Sequence, residues 1–144
     1  MAAEVVGLTR YPKKGAPGVS LSEMKLVKGL GVEGDFRQGG ERQVSLLPAE
    51  ARRWMEAQPE QGLCFGRFRE NITTKGLPTD TLGPGSLLSA GSAVLRTGAG
   101  RKECFDHCAL FSAGAPCRLA GCAVFAAVEQ SGTVRISDAV LILR

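Results

Sequence analysis

The chain has 144 residues, enough to bury a substantial core, and its 44% apolar and 22% charged residues are ordinary for a globular protein. Its net charge of +4, from 18 basic and 14 acidic side chains, suits a small anionic ligand and is too weak for a nucleic-acid footprint. There is no long Lys/Arg run, no RNA-binding aromatic signature and no apolar stretch of about eighteen residues, so neither nucleic acid nor a membrane is an expected partner. Met1 to Gly18 is broken by Glu4, Arg10, Lys13 and Lys14 and has no apolar h-region, so a cytoplasmic protein without a signal peptide is expected. The five cysteines are an odd count without the spacing of a secreted disulfide scaffold. In a reducing compartment they serve as core residues, ligands or catalytic thiols.

Nineteen glycines and seven prolines cut the chain into short pieces rich in Val, Leu and Ile. Such pieces predict a mostly β, barrel-like fold with a few short helices, as one domain over residues 1–144. In chain order the expected strands are Glu4–Leu8, Glu23–Val27, Gln43–Leu47, Ser86–Ser89, Ala93–Arg96, Val124–Glu129, Val134–Ile136 and Ala139–Leu143. The stretch Gly29–Gly40 reads as a mobile loop. Its Gly29-x-Gly31-x-x-Gly34 spacing lacks the strand–turn–helix setting of a nucleotide-binding fingerprint. A helix is expected from Pro48 through Ala57, stopped by Pro59, with Ala51, Trp54 and Met55 on one apolar stripe. Ala90-Gly91 reads as a hairpin turn, and Ser131-Gly132 as another. A short helical turn is expected between Phe105 and Ala113.

Two segments carry chemistry. The first is Phe68-Arg69-Glu70-Asn71-Ile72-Thr73-Thr74-Lys75-Gly76-Leu77. Arg69 can engage a phosphate through two parallel bonds, and Asn71, Thr73, Thr74 and Lys75 add donors around an anion. Arg69 and Asn71 could equally tie a barrel corner together. Arg42, just before a strand, is a further cation that reads either as a ligand contact or as a surface charge.

The second segment holds Cys104, His107, Cys108 and Cys117, interleaved with Arg101, Lys102, Glu103 and Asp106. Three readings apply. Cysteine and histidine together supply zinc ligands, although paired C-x2-C knuckles are missing. Arg101, Lys102 and a protonated His107 are cations that favour a reactive thiolate at Cys108 or Cys104. A thiolate is also a soft ligand for a heavy transition metal. Cys64 and Cys122 sit among apolar neighbours and read as core packing.

The chain resembles the MOSC domain family, named for the C-terminal part of molybdenum-cofactor sulfurases, and most closely its small stand-alone bacterial type. The resemblance rests on Gly31-Val32-Glu33-Gly34-Asp35, on Arg42-Gln43-Val44-Ser45-Leu46-Leu47-Pro48-Ala49-Glu50, and on Phe68 to Leu77. It continues through Leu82-Gly83, Gly85 to Leu88, the cysteine segment, and Phe125 to Asp138. It implies a β-rich barrel-like fold and a pocket with one essential cysteine, matched here by Cys108, with Cys104 at a more variable position. That cysteine carries sulfur as a persulfide or ligates molybdenum, and the segment matching Phe68 to Asn71 helps hold the pterin phosphate. The implied cofactor is the molybdenum cofactor (molybdopterin), and the implied partners are that cofactor or its biosynthesis and sulfuration proteins. The family often has histidine at the position of Arg37 and usually glycine at that of Ser137.

The expected function is therefore a domain that binds the molybdenum cofactor or carries sulfur, presenting Cys108 beside an anion pocket. Two alternatives stand beside it: a molybdenum-dependent reductase of N-hydroxylated compounds, and a non-catalytic zinc-stapled interaction module.

Overall fold

The computed structural model describes residues 3–40, 42–57, 70–79, 82–98 and 123–143. Its elements are β1 (Ala3–Arg10), β2 (Val19–Ser20), β3 (Glu23–Val27), β4 (Gly31–Val32), β5 (Val44–Pro48), α1 (Ala49–Ala57), β6 (Ile72–Lys75), β7 (Leu87–Ala90), β8 (Ala93–Thr97), β9 (Val124–Gln130), β10 (Gly132–Arg135) and β11 (Ala139–Ile142). Seven of the strands, in the order β11-β7-β8-β9-β5-β6-β1, form a sheet that closes on itself through the pairing of β1 with β11. Closure removes the exposed edges that an open sheet would leave. A second sheet, β10-β3-β4, flanks the barrel, and β2 extends β1.

Period-two alternation fills the barrel. Val5, Leu8, Val44, Leu46, Ile72, Leu88, Leu95, Val124, Ala126 and Val140 are buried and belong to one apolar cluster. Their strand neighbours face outward. The pairing of β5 with β6 is parallel, which demands a crossover, and α1 begins it directly after Pro48. The helix packs on β5 and β6 with Ala51 and Met55 buried. Leu47, on the outer face of β5, is buried as well, so this part of the outer face is covered.

All eight strands expected from the glycine-bounded apolar runs are present, and so is the helix, which starts at Ala49 while Pro48 ends β5. Three strands are additional. Ile72–Lys75, read from sequence as ligand-binding chain, is β6; its Ile-Thr-Thr run suits a pleated surface. The Gly29–Gly40 stretch is not wholly a loop, because Gly31–Val32 forms β4 against Leu26 and Val27. Gly31 has φ 122°, and a Cβ there would stand 2.9 Å from Gln43 O, so glycine is needed on both counts.

Gly91 turns the β7–β8 hairpin at φ 57°, as expected. Ser131-Gly132 does not turn a hairpin. β9 pairs with β8 and β5 whereas β10 pairs with β3, so the chain changes sheet there. Gly132 serves close approach instead, since a Cβ would lie 2.5 Å from Ala93 N.

Ser137 has φ 74°, the one positive φ at a non-glycine residue among those described. Left-handed backbone costs an L-residue about 1–2 kcal/mol, and glycine returns part of that gain through its freer unfolded state. Ser137→Gly should therefore stabilise the protein by about 0.5–1 kcal/mol in urea unfolding. A loss of stability would mean that the serine side chain outweighs its backbone strain.

Candidate functional site

One row of the barrel runs from Asn71 of the first motif to Gly98, the last described residue before the second. Asn71 N donates to Ser45 O at 2.9 Å, Ser45 stands opposite Phe125, and Gly98 N donates to Phe125 O at 2.9 Å. The row crosses β6, β5, β9 and the end of β8, so Asn71 and Gly98 are about 15 Å apart at ordinary strand spacing. Glu70 is the first described residue after residues 58–69, and Gly98 and Ala123 flank residues 99–122. Because Leu46, Ile72 and Val124 face the core, Ser45, Asn71 and Phe125 face outward.

Asn71 is fully buried and its carboxamide is saturated. Its Oδ1 accepts Ser45 N at 3.0 Å and Ser45 Oγ at 3.2 Å. Its Nδ2 donates to Thr9 O at 3.1 Å and to Asp35 Oδ2 at 2.9 Å. Asp35 Oδ2 also accepts Tyr11 N at 3.0 Å, and Asp35 Oδ1 accepts Arg37 N at 3.0 Å. A carboxamide has two N–H groups, and both are committed to the protein. Asn71 thus ties together β1, β5, β6 and the turn after β4, and the donors left for an anion belong to other residues. Glu70 is held beside it: Tyr11 Oη donates to Glu70 O at 3.0 Å, and Arg52 of α1 grips the Glu70 carboxylate through Nη2 at 2.7 Å and Nε at 3.3 Å. This two-bond pair is partly buried, which gives it geometric definition that exposed pairs lack.

Arg42 lies on the same face. Its Cζ stands 4.4 Å from the centroid of the Phe125 ring, and among the described residues no carboxylate pairs with it. The contrast is internal to the molecule. Arg52 has Glu70, Arg135 has Glu23 at 3.1 Å, and Arg96 has Glu129 at 3.2 Å. The hydrogen bond from Arg96, and then its charge, hold the Glu129 carboxyl below the usual carboxylate range. Stacking on an aromatic face attracts a guanidinium and leaves its N–H edge available to an oxyanion.

Thr73 and Lys75 share the outer face of β6, Thr73 half-buried and Lys75 exposed. A Cβ at Gly7 would lie 3.1 Å from Thr73 Oγ1, so the glycine makes room for that hydroxyl. Pro48 pairs with Thr74, which sets Lys75 about 20 Å along the strands from Arg42, with α1 packed between. One small anion cannot bridge these two cations. Thr74, read from sequence as a donor at the pocket mouth, points into the barrel instead, because alternation sends Ile72 and Thr74 inward; its Oγ1 is buried without a hydrogen-bond partner among the described residues.

Arg69, Cys104, His107, Cys108 and Cys117 lie outside the described residues, as do Cys64 and Cys122. Among the described residues no three His, Cys, Asp or Glu side chains come together as a metal site, and no helix is long and apolar enough to cross a membrane. Sequence reasoning missed Asp35, Tyr11, Ser45 and Arg52. Asp35 carried a signal in hindsight: an acidic residue straight after Gly34, which has φ 83°, is placed to bond neighbouring backbone N–H groups.

Comparison with known proteins agrees with this architecture. The chain superposes on the YuaD protein from Bacillus subtilis with TM-score 0.70 and 21% identity, covering 97% of this chain and 94% of that one. YiiM from Escherichia coli matches with TM-score 0.64 and 23% identity over 100% of this chain and 70% of its own. A structure described only as a hypothetical protein matches with TM-score 0.71 and 23% identity, over 100% and 69% of the two chains. No curated protein matches the sequence. The MOSC domain profile matches residues 33–141, a span that includes Asp35, Arg42, Ser45, Asn71 and Phe125. The chain belongs to the MOSC domain family, which is associated with molybdenum-cofactor binding and sulfurase-related roles.

Proposed function

We propose that this domain binds the phosphate-bearing molybdenum cofactor on the outer barrel face around Phe125 and presents Cys108 to it, as a sulfur carrier or as a metal ligand. The carrying observation is the guanidinium of Arg42, stacked without a carboxylate partner among the described residues on Phe125, which lies on the row between Asn71 and Gly98. The donor set fits a phosphate. The carboxylates nearby are engaged, Glu70 by Arg52 and Asp35 by Tyr11, Asn71 and Arg37, so they present little repulsion to an anion.

In this reading Arg42 and Arg69 bind phosphate oxygens. Asn71 contributes through position, holding the chain that follows Arg69. The cations Arg101 and Lys102 favour the thiolate of Cys108 over the thiol. When bound, the cofactor supplies a metal centre that accepts sulfur or exchanges electrons. Retention of a pterin phosphate is the minimal activity, and turnover is shared with partner proteins of cofactor synthesis or sulfuration.

The test is expression in a host that makes the cofactor, with molybdenum and oxidised pterin measured per protein. The wild-type protein should retain pterin. Arg42→Ala should lower retention about tenfold, as expected for loss of one charge-assisted contact. Its unfolding free energy should fall by only about 0.5–1 kcal/mol, the worth of an exposed cation–π contact. Wild-type protein without pterin would overturn the proposal. Stoichiometric zinc with unfolding on chelation would support the metal-stapled module in its place.

A further inference from the structure

A polar groove of about 400 Å³ opens on another part of the surface between β7, β10 and β11. It shares no residue with the face around Phe125. Ser89, Thr133, Arg135 and Asp138 line it, with Ala139 and Leu141 as its apolar side. Leu141 is 48% exposed, a large apolar side chain left open to solvent at the groove.

The polar groups have unused capacity. The Ser89 and Thr133 hydroxyls make no side-chain hydrogen bond among the described residues. Among the described residues Asp138 uses only Oδ2, which accepts Arg135 N at 2.7 Å, and its Oδ1 makes no bond. Among the same residues the Arg135 guanidinium is engaged only by Glu23, at 3.1 Å, in a pair whose side chains are 66% and 53% exposed. Such an exposed pair is weak enough for a ligand carboxylate to displace.

The carboxylate is also held in advance. Asp138 O accepts Val5 N at 2.9 Å, Asp138 N donates to Arg135 O at 3.1 Å, and Ser137 N donates to Val5 O at 2.8 Å. These bonds hold Ser137 in its left-handed conformation. Strained backbone persists where its surroundings over-determine it, and it gathers at ligand clamps. The opposite wall is fixed as well, because the hairpin turn at Gly91 presses against Thr133 O and Asp138 Oδ2 so closely that a Cβ would not fit.

We propose that this groove binds a small zwitterionic α-amino acid with an apolar side chain. The ammonium group lies between Asp138 Oδ1 and the hydroxyls of Ser89 and Thr133. The carboxylate pairs with Arg135, and the side chain rests on Ala139 and Leu141. A guanidinium and a carboxylate at one end of a half-apolar groove match both charges of the amino-acid backbone at once.

The test is an NMR titration of the whole protein with L-leucine, with isopentylamine and 4-methylpentanoate as controls that each lack one charge. L-leucine should give saturable shifts at Ser89, Thr133, Asp138 and Leu141, and both controls should bind at least about tenfold more weakly. Asp138→Asn keeps an oxygen to accept Arg135 N–H, so the turn survives while the charge is lost. It should weaken leucine at least about tenfold and leave pterin retention unchanged. Arg135→Gln, which alters no buried contact, should do the same from the other end of the ligand. Absence of saturable shifts, equal binding by either control, or undiminished leucine binding in either folded variant would overturn the proposal.

Discussion

Replacing Asn71 by alanine is expected to destabilise the protein by about 3–5 kcal/mol, because several buried polar groups lose their partners together. Four hydrogen bonds end on this carboxamide, to Ser45 N, Ser45 Oγ, Thr9 O and Asp35 Oδ2. Alanine leaves a buried backbone N–H and a buried carboxylate oxygen short of a bond, and no water reaches a side chain that is 0% exposed. The Asp35 carboxylate matters most, since an under-satisfied buried charge costs more than a neutral group. Ser45→Ala removes only the hydroxyl from the same network and should cost about 1–2 kcal/mol. Urea unfolding of both variants is the measurement. An Asn71→Ala loss of about 1 kcal/mol or less would show that the network relaxes around the gap. Such a result would return Asn71 to the ligand-contact role read from the sequence.

The sequence revealed the barrel through its alternation. Runs such as Ala93–Thr97 and Val124–Gln130 carry their inward residues at every second position; burial alternates along the first, while in the second the outward Phe125 is buried as well. Closure could not be read this way, because β1 and β11 stand at opposite ends of the chain and pair only in space. β6 was hidden for a different reason. Its polar threonines and lysine read as ligand chemistry, although β-branched residues at Ile72, Thr73 and Thr74 also suit a strand. The same ambiguity governs Asn71. A carboxamide beside an arginine fits an anion clamp and a barrel tie equally well until its four partner atoms are known, and all four belong to Thr9, Asp35 and Ser45, far off in sequence. Arg42 shows the reverse case. An arginine before a strand carries little information alone, and it gains meaning from the Phe125 ring beneath it and from the lack of a paired carboxylate among the described residues.

Cys108→Ser is expected to abolish persulfide or molybdenum binding while leaving the domain folded. The expectation joins two arguments. Within the family resemblance, Cys108 before Ala109-Leu110 matches the single essential cysteine, and Arg101 and Lys102 favour its thiolate form. Independently, Gly98 and Ala123, which flank its segment, sit beside Phe125, where the Arg42 guanidinium lies without a carboxylate partner among the described residues. A serine oxygen is neither a persulfide carrier nor a soft metal ligand, so the loss should be complete rather than graded. Stability should change by no more than about 1 kcal/mol if the thiol serves chemistry rather than packing. Cys64→Ser and Cys122→Ser should show the opposite pattern, with lower stability from a buried hydroxyl and little change in cofactor retention. Alkylation of the native, ligand-free protein, read by mass spectrometry, should label Cys108 first and Cys104 second, and bound cofactor should protect both. A Cys108 that resists alkylation in metal-free protein, together with a serine variant that still retains cofactor, would remove this residue from the site. Cofactor binding would then rest on the Arg42 face alone, with the cysteine segment left to a structural metal.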